Sequence, residues 1–157
     1  MKNWLAAGLT AFLSTAATAQ PWTEAEMQSR TAEIATRYLA VWSSDAWNSV
    51  EGVPYVYGPR VRFYGQDFSQ ADLMAEKRRA IRQWPSRRYV HRPGTLRVQC
   101  NMPRQRCVAS STTDYSVSNP ARGTAKSGSA LFDLGVSFAG PKPVILFEGG
   151  SIGRRRV

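Results

Sequence analysis

The sequence predicts an α+β fold in which a curved antiparallel sheet wraps around a long N-terminal helix. Three observations carry that expectation. One long segment near the start has helical period, a run of segments from Leu96 to the end has period two, and two cysteines are placed to join neighbouring strands of that run.

The helical part begins at Thr23, whose hydroxyl, with Glu26 three residues on, spells a capping box: each side chain satisfies one orphan amide of the first turn. Behind it Met27, Ile34, Tyr38, Val41 and Trp42 recur at helical spacing, so a long amphipathic helix is expected to end near Ser43-Ser44. A shorter helical turn is expected from Asp45 toward Val50, before the breakers Gly52 and Pro54. The run "YVYGPRVRFYG" alternates and is rich in aromatic and β-branched residues, which predicts a short strand around Val61 to Tyr64. Ser69 caps a second helix, with Asp72 at its third position and Leu73, Ala80, Ile81 and Trp84 along one face. Pro85 stops it, because proline lacks a donor and pushes the preceding residue out of helical geometry.

Beyond Pro85 a strand is expected over residues 86–92, with Arg87, Tyr89 and His91 on one face and Arg88, Val90 and Arg92 on the other. Leu96, Val98 and Cys100 share a face of the next strand. Cys107, Ala109, Ser111, Thr113, Tyr115 and Val117 share a face of the one after it, and parity places both cysteines on apolar-leaning faces. That is the condition for a disulfide across a hairpin. Ala130, Phe132, Leu134, Val136 and Phe138 mark the inner face of a further long strand, and "VILFEGGSI" is apolar on both faces, as a central strand would be. Helices on one side of such a sheet enclose a conical space.

The first nineteen residues carry Lys2, the apolar stretch "WLAAGLTAFL" and the small-residue tripeptide Ala17-Thr18-Ala19, the layout of a secretory signal peptide. The expected division is therefore 1–19 signal peptide and 20–157 one domain, exported to a periplasm or the extracellular space, with no transmembrane segment in the mature chain. An oxidising compartment agrees with a disulfide between Cys100 and Cys107, the chain's two cysteines. A tetrahedral metal site has no ligand set to draw on, since the lone histidine cannot complete one with two cysteines; neither a metal nor a cofactor is expected. Lys and Arg number 21 against 11 Asp and Glu, a formal net charge of +10. Such a balance favours anionic partners, with an envelope polymer or lipid phosphate ahead of nucleic acid in an exported protein.

The run "VRFYGQDFSQADLMAEKRRAIRQWPSRRY", with "VQC", "RCVA", "SGSALFDLGV" and "PVILFEGGSI" after it, resembles an exported bacterial family within the nuclear transport factor 2-like superfamily. In that family an aromatic-Tyr-Gly segment, a capped helix with a central lysine, and Trp-Pro-x-Arg-x-Tyr recur together. The resemblance spans about Thr23 to Ile152 and implies a cone-shaped fold. The superfamily holds ketosteroid isomerase, scytalone dehydratase and polyketide cyclases beside many binding domains, so fold alone does not choose a function. It also implies a homodimer through the sheet.

Catalytic members of that superfamily project carboxylates and histidines into the cone, and here the supply is thin. His91 is the only imidazole, expected to be held neutral by neighbouring arginines. Asp114 and Asp133 fall on the faces opposite the apolar stripes. Glu148, in an apolar strand, is the remaining carboxylate; burying it demands a partner, and Arg87 or Arg88 of the neighbouring motif, Arg87 first, is the expected one, in a structural ion pair rather than a catalytic acid's site. Gly149 to Gly153 fits G-x-S-x-G, but a nucleophile elbow needs a following helix and a later acid and histidine, and only "RRRV" remains. Arg78, Arg79 and Arg82 form an outward basic face that could take an anionic polymer.

These readings converge on an exported, non-catalytic binding or scaffolding domain whose cone, lined by Tyr38, Trp42, Tyr64, Trp84 and Tyr115, either holds a small apolar ligand or is filled as core. The alternatives are a cofactor-free isomerase, dehydratase or cyclase acting in the same cone, with His91 or Glu148 as its weak catalytic candidates, and an envelope-polyanion binder using the arginine face.

Overall fold

The capping box forms as the sequence predicts. Thr23 Oγ1 accepts from the Glu26 amide at 3.3 Å while the Thr23 amide donates to Glu26 Oε2 at 2.8 Å, starting helix α1, Glu24–Trp42. A computed structural model describes residues 21–44 and 48–152. The predicted signal peptide and the final Gly153–Val157 lie outside these residues. Met27, Thr31, Ala35, Leu39 and Trp42 are the buried positions of α1, a stripe at three- and four-residue spacing that packs on the sheet.

Two short helices follow, α2, Asn48–Glu51, and α3, Val53–Val56. The second was expected as a break at Gly52 and Pro54; Pro54 instead occupies the first turn of α3, where its missing N–H costs nothing. Strand β1, Tyr57–Phe63, turns at Tyr64-Gly65 into β2, Gln66–Ser69. Both turn residues have positive φ, 45° and 86°, and Phe63 pairs with Gln66 across them, so this is a two-residue hairpin turn of the primed kind. Helix α4, Gln70–Gln83, has the predicted Ser69–Asp72 capping box and buries Leu73, Lys77 and Ile81.

The remaining strands are β3, Ser86–His91, β4, Arg97–Asn101, β5, Arg106–Asn119, β6, Thr124–Ser137, and β7, Val144–Ile152. They join β1 and β2 in a seven-stranded sheet of order β2-β1-β7-β6-β5-β3, with β4 beside the first half of β5 and β3 beside its second half. The sheet is mixed rather than wholly antiparallel: β1 runs parallel to β7, and a register shift lies between Tyr57 and Arg62. As expected of a strand apolar on both faces, β7 is central. Gly150 in it has φ 144°, and a side-chain Cβ there would fall 1.9 Å from the Leu131 carbonyl oxygen. Gly150 of the G-x-S-x-G match thus serves a close strand approach, and the serine of the match lies in a strand.

Cys100 and Cys107 face each other in the β4–β5 register and are disulfide-bonded. Helix α1 crosses β3, β4 and β5, and α4 covers β1 and β2. Between them Ala35, Leu39, Val50, Val53, Tyr57, Val61, Leu73, Ala109 and Leu134 form the main core. Among the described residues no helix is long and apolar enough to cross a membrane.

Candidate functional site

Glu148 sits in mid-β7, paired laterally with Leu134 of β6 and Phe63 of β1, and its side chain is 4% exposed. An isolated carboxylate there would be driven neutral or would unfold the strand. Its partner is Lys77: Nζ lies 2.9 Å from both Glu148 oxygens. Arg87, the partner expected from the sequence, is also buried but turns elsewhere. Its guanidinium donates to the carbonyls of Trp42, Ser44, Trp84 and Pro85, at 2.7 to 3.1 Å, clamping the end of α1 to the corner after α4. The reason is geometric. Lys77 occupies the buried stripe of α4 between Leu73 and Ile81, one turn from each, so it enters the cone opposite β7. Arg87 opens β3 near the helix ends, where unpaired carbonyls already wait.

Two tyrosines complete the carboxylate's shell. Tyr38 of α1 donates to Glu148 Oε1 at 2.5 Å and accepts from Lys77 Nζ at 2.6 Å, and Tyr57 of β1 donates to Oε2 at 2.9 Å. The three ammonium protons and both carboxylate oxygens are therefore used. The ammonium is also ringed by aromatic faces, 4.6 Å from the centre of Trp42, 4.9 Å from Phe63 and 5.1 Å from Tyr38, an arrangement favourable to a cation removed from water. Burial pulls the Lys77 ammonium below its ordinary range, with Glu148 opposing the shift. Burial first and the Glu148 charge second hold both Tyr38 and Tyr57 well above the ordinary phenol value, so both stay protonated donors.

This cluster forms part of the wall of a cavity of about 250 Å³ in the cone. Tyr38, Trp42, Tyr64 and Tyr115 line it, as expected, together with Phe63, Tyr89, Leu131 and Phe132. Tyr64 is carried by the β1–β2 turn, and its amide donates to the Glu148 carbonyl at 2.8 Å, tying the turn to the strand that bears the carboxylate. The ring remains 55% exposed. Burial, with Glu148 second, raises its phenol too. Among the described residues no hydrogen bond is made by the hydroxyls of Tyr64, Tyr89 or Tyr115, which leaves three donors free at the cavity.

Two further sequence expectations are corrected here. Trp84 does not line the cavity: as the C-cap residue of α4 it is half-buried outside it, with Lys126 Nζ 5.5 Å from its ring centre. His91 does not line it either. Its Nδ1 is 2.7 Å from Ser111 Oγ and its ring leans on Phe132, while burial, not the neighbouring arginines, lowers its pKa. The outward basic face is partly neutralised, since Arg78 pairs with Glu51 at 2.7 Å and Arg79 with Glu76 at 3.0 Å. Asp114 and Asp133 do point away from the cone, to Arg92 with Ser129 and to Ser110 respectively.

A long helix and a shorter one set in the concavity of a mixed, open sheet, with a ligand-sized cavity between them, define the class: an α+β cone. The particular cone is the nuclear transport factor 2-like fold. A nuclear transport factor 2-like superfamily protein from Salmonella enterica superposes with TM-score 0.71 at 8% identity, over 86% of this chain and 96% of that one. An uncharacterized protein with a cystatin-like fold from Caulobacter vibrioides gives 0.65 at 10% identity, over 82% and 91%. A structure described as a candidate dehydratase of the nuclear transport factor 2-like family, from Streptomyces avermitilis, gives 0.62 at 7% identity, over 82% and 99%. No protein-family model and no curated sequence matches the chain. At these identities the likeness is one of fold.

Proposed function

We propose that the protein is an exported binding domain whose cone takes a small, largely apolar, uncharged ligand with one hydrogen-bonding group. The single observation that carries this reading is the cavity of about 250 Å³ in which the Lys77–Glu148 pair is internally saturated by its own hydrogen bonds. Lys77 and Glu148 neutralise each other, and the other two charged residues of the lining, Arg87 and Glu76, are of opposite sign, so the lining carries no net charge. Aromatic rings and aliphatic side chains together supply most of the lining, and the free hydroxyls of Tyr64, Tyr89 and Tyr115 supply the donors. This is the usual composition of a small-molecule site: apolar walls with a few placed polar groups. Export is supported by the N-terminal charge, apolar stretch and small-residue pattern, and by the Cys100–Cys107 disulfide.

Catalysis in the same cone asks for a base with a free lone pair toward the ligand. Two carboxylates line the cavity: the oxygens of Glu148 are taken by Lys77, Tyr38 and Tyr57, and Glu76 pairs with Arg79 at 3.0 Å. The test is ligand-observed NMR with two-ring phenols, ketones and carboxylates in deuterated buffer. Phenols and ketones should bind, carboxylates should not, and bound ketones should keep their α-protons over hours. Rapid α-proton exchange that is lost in Glu148→Gln would replace the binding reading with an isomerase.

A further inference from the structure

A second depression lies on the opposite side of Tyr38 and Trp42. It has a volume of about 460 Å³ and runs between the outer face of α1, helix α3 and the loop joining β6 to β7. Its floor is apolar: Ile34 and Val41 of α1, Tyr55 and Val56 of α3, and Ile145. Three of these side chains are exposed although apolar, Tyr55 at 71%, Val56 at 47% and Val41 at 38%. A soluble chain leaves such neighbours together in water at a cost, and a contiguous exposed apolar patch marks a binding surface more often than chance.

The rim is cationic. Arg30 and Arg37 stand one above the other on α1, and Lys142 stands on the far side. Glu33, between the two arginines, pairs closely with Arg30 at 2.6 Å and loosely with Arg37 at 3.4 Å, whose side chain is 73% exposed. Lys142 spends one proton on the Tyr55 carbonyl at 2.9 Å and lies 5.9 Å from the Tyr55 ring centre. One acid against three bases leaves positive charge at both long edges of an apolar trough. That combination selects for one ligand chemistry: an aliphatic tail for the floor and an anionic head for the rim.

We propose that this groove binds a single-chain anionic amphiphile, with its alkyl tail on Ile34, Val41, Val56 and Ile145 and its carboxylate or phosphate between Arg37 and Lys142. The site is separate from the aromatic cavity and has the opposite preference, for charged over neutral ligands. Its volume is within the ordinary range of small-ligand sites. The head keeps its charge in solvent while the tail leaves water, so affinity grows with chain length and falls with salt.

The test uses the full chain and calorimetric titration with dodecanoate, dodecyl phosphate and dodecyltrimethylammonium, each below its micelle-forming concentration. Both anions should bind saturably and the cation should not, and decanoate should bind roughly ten-fold more weakly than dodecanoate. The double variant R37E/K142E and the double variant Y55S/V56S should each lose at least ten-fold, while Ala130→Phe, which fills the other cavity, should change nothing. A diazirine-labelled fatty acid, photolysed and mapped by peptide mass spectrometry, should label α1 and α3; this readout stands even where a variant folds poorly. Equal binding of the cation, indifference to R37E/K142E, or labelling confined to Tyr64 and Leu131 would overturn the proposal. So would binding to vesicles of anionic lipid with none to the monomeric probes, which would make the face a membrane contact.

Discussion

Glu148 and Lys77 are each under a tenth exposed and each would be expensive alone. Breaking such a pair from one side leaves an uncompensated buried charge, which typically costs about 3–5 kcal/mol, whereas replacing both partners by apolar groups is often close to neutral. Lys77→Met should therefore lower unfolding stability by about 3–5 kcal/mol in urea melts, and Lys77→Met with Glu148→Leu should recover most of the loss. A double variant no better than the single would mean the pair acts through something other than charge. Half of this arrangement is legible in the sequence. The cost of Glu148 follows from its apolar neighbours, but its partner does not follow from nearness to an arginine-rich segment. The usable signal is the spacing Leu73, Lys77, Ile81, which puts a lysine in the middle of a buried stripe.

His91 supplies a second residue-level expectation. Its Nδ1 meets Ser111 and its Nε2 is buried without a hydrogen-bond partner among the described residues. Burial holds its pKa below the ordinary 6.5 in the folded chain. Below 6.5 the unfolded chain takes a proton that the folded chain refuses, so the stabilisation is complete above 6.5 and is lost as pH falls from there toward the folded value. His91 is the only histidine, and the lowered carboxylates Glu26, Asp72 and Asp114 titrate further down. Urea midpoints should drop between about pH 7 and pH 5, and His91→Gln should flatten that slope. An unchanged slope in the variant would remove His91 as its source.

At the scale of elements, Arg87 and the disulfide each join two pieces of the fold. The Arg87 fork satisfies four backbone carbonyls from the end of α1, the residues after it and the Trp84-Pro85 corner. A lysine has neither the planar fork nor enough donors at fixed angles. Arg87→Lys should thus destabilise nearly as much as Arg87→Ala, by about 2–4 kcal/mol in the same melts; a lysine variant close to wild type would show that charge alone suffices. The disulfide closes a short hairpin, so Cys100→Ser with Cys107→Ser should cost only about 2–3 kcal/mol and leave the far-ultraviolet circular dichroism unchanged. Helix caps, the helix stop at Pro85 and the period-two strands were readable because their signals are local. Strand β2 was not: it is four residues long, and its only advance notice is the Tyr64-Gly65 turn. Helix α3 was hidden because Pro54 reads as a breaker wherever its helical position is unknown.

At the scale of the whole molecule, the cone was predictable and its contents were not. The parallel contact of β1 with β7 joins residues about ninety positions apart, and no local pattern encodes it. Yet that contact brings Tyr57, Phe63 and Tyr64 beside Glu148 and so builds one wall of the cavity. Tyr38 and Trp42 follow from helical spacing and Tyr115 from strand parity, whereas Tyr64 reaches the cavity from the turn after β1, and Trp84, the C-cap of α4 at φ −129° and ψ 78°, departs from the helical geometry that the stripe assumes. Whether the cone is filled or hollow depends on how these rings tilt against one another, which composition does not fix.

The hollow cone is the central claim, and blocking it is the most direct trial. Ala130 lines the cavity on β6 and is only partly buried, so Ala130→Phe can place a ring in the open space without displacing the Lys77–Glu148 cluster. Calorimetric titration of a neutral two-ring phenol into wild type and Ala130→Phe should give saturable one-site binding to the first and at least ten-fold weaker binding to the second, with equal folding by circular dichroism. Identical titrations for the two proteins, or no binding to wild type by any neutral aromatic tested, would contradict the account.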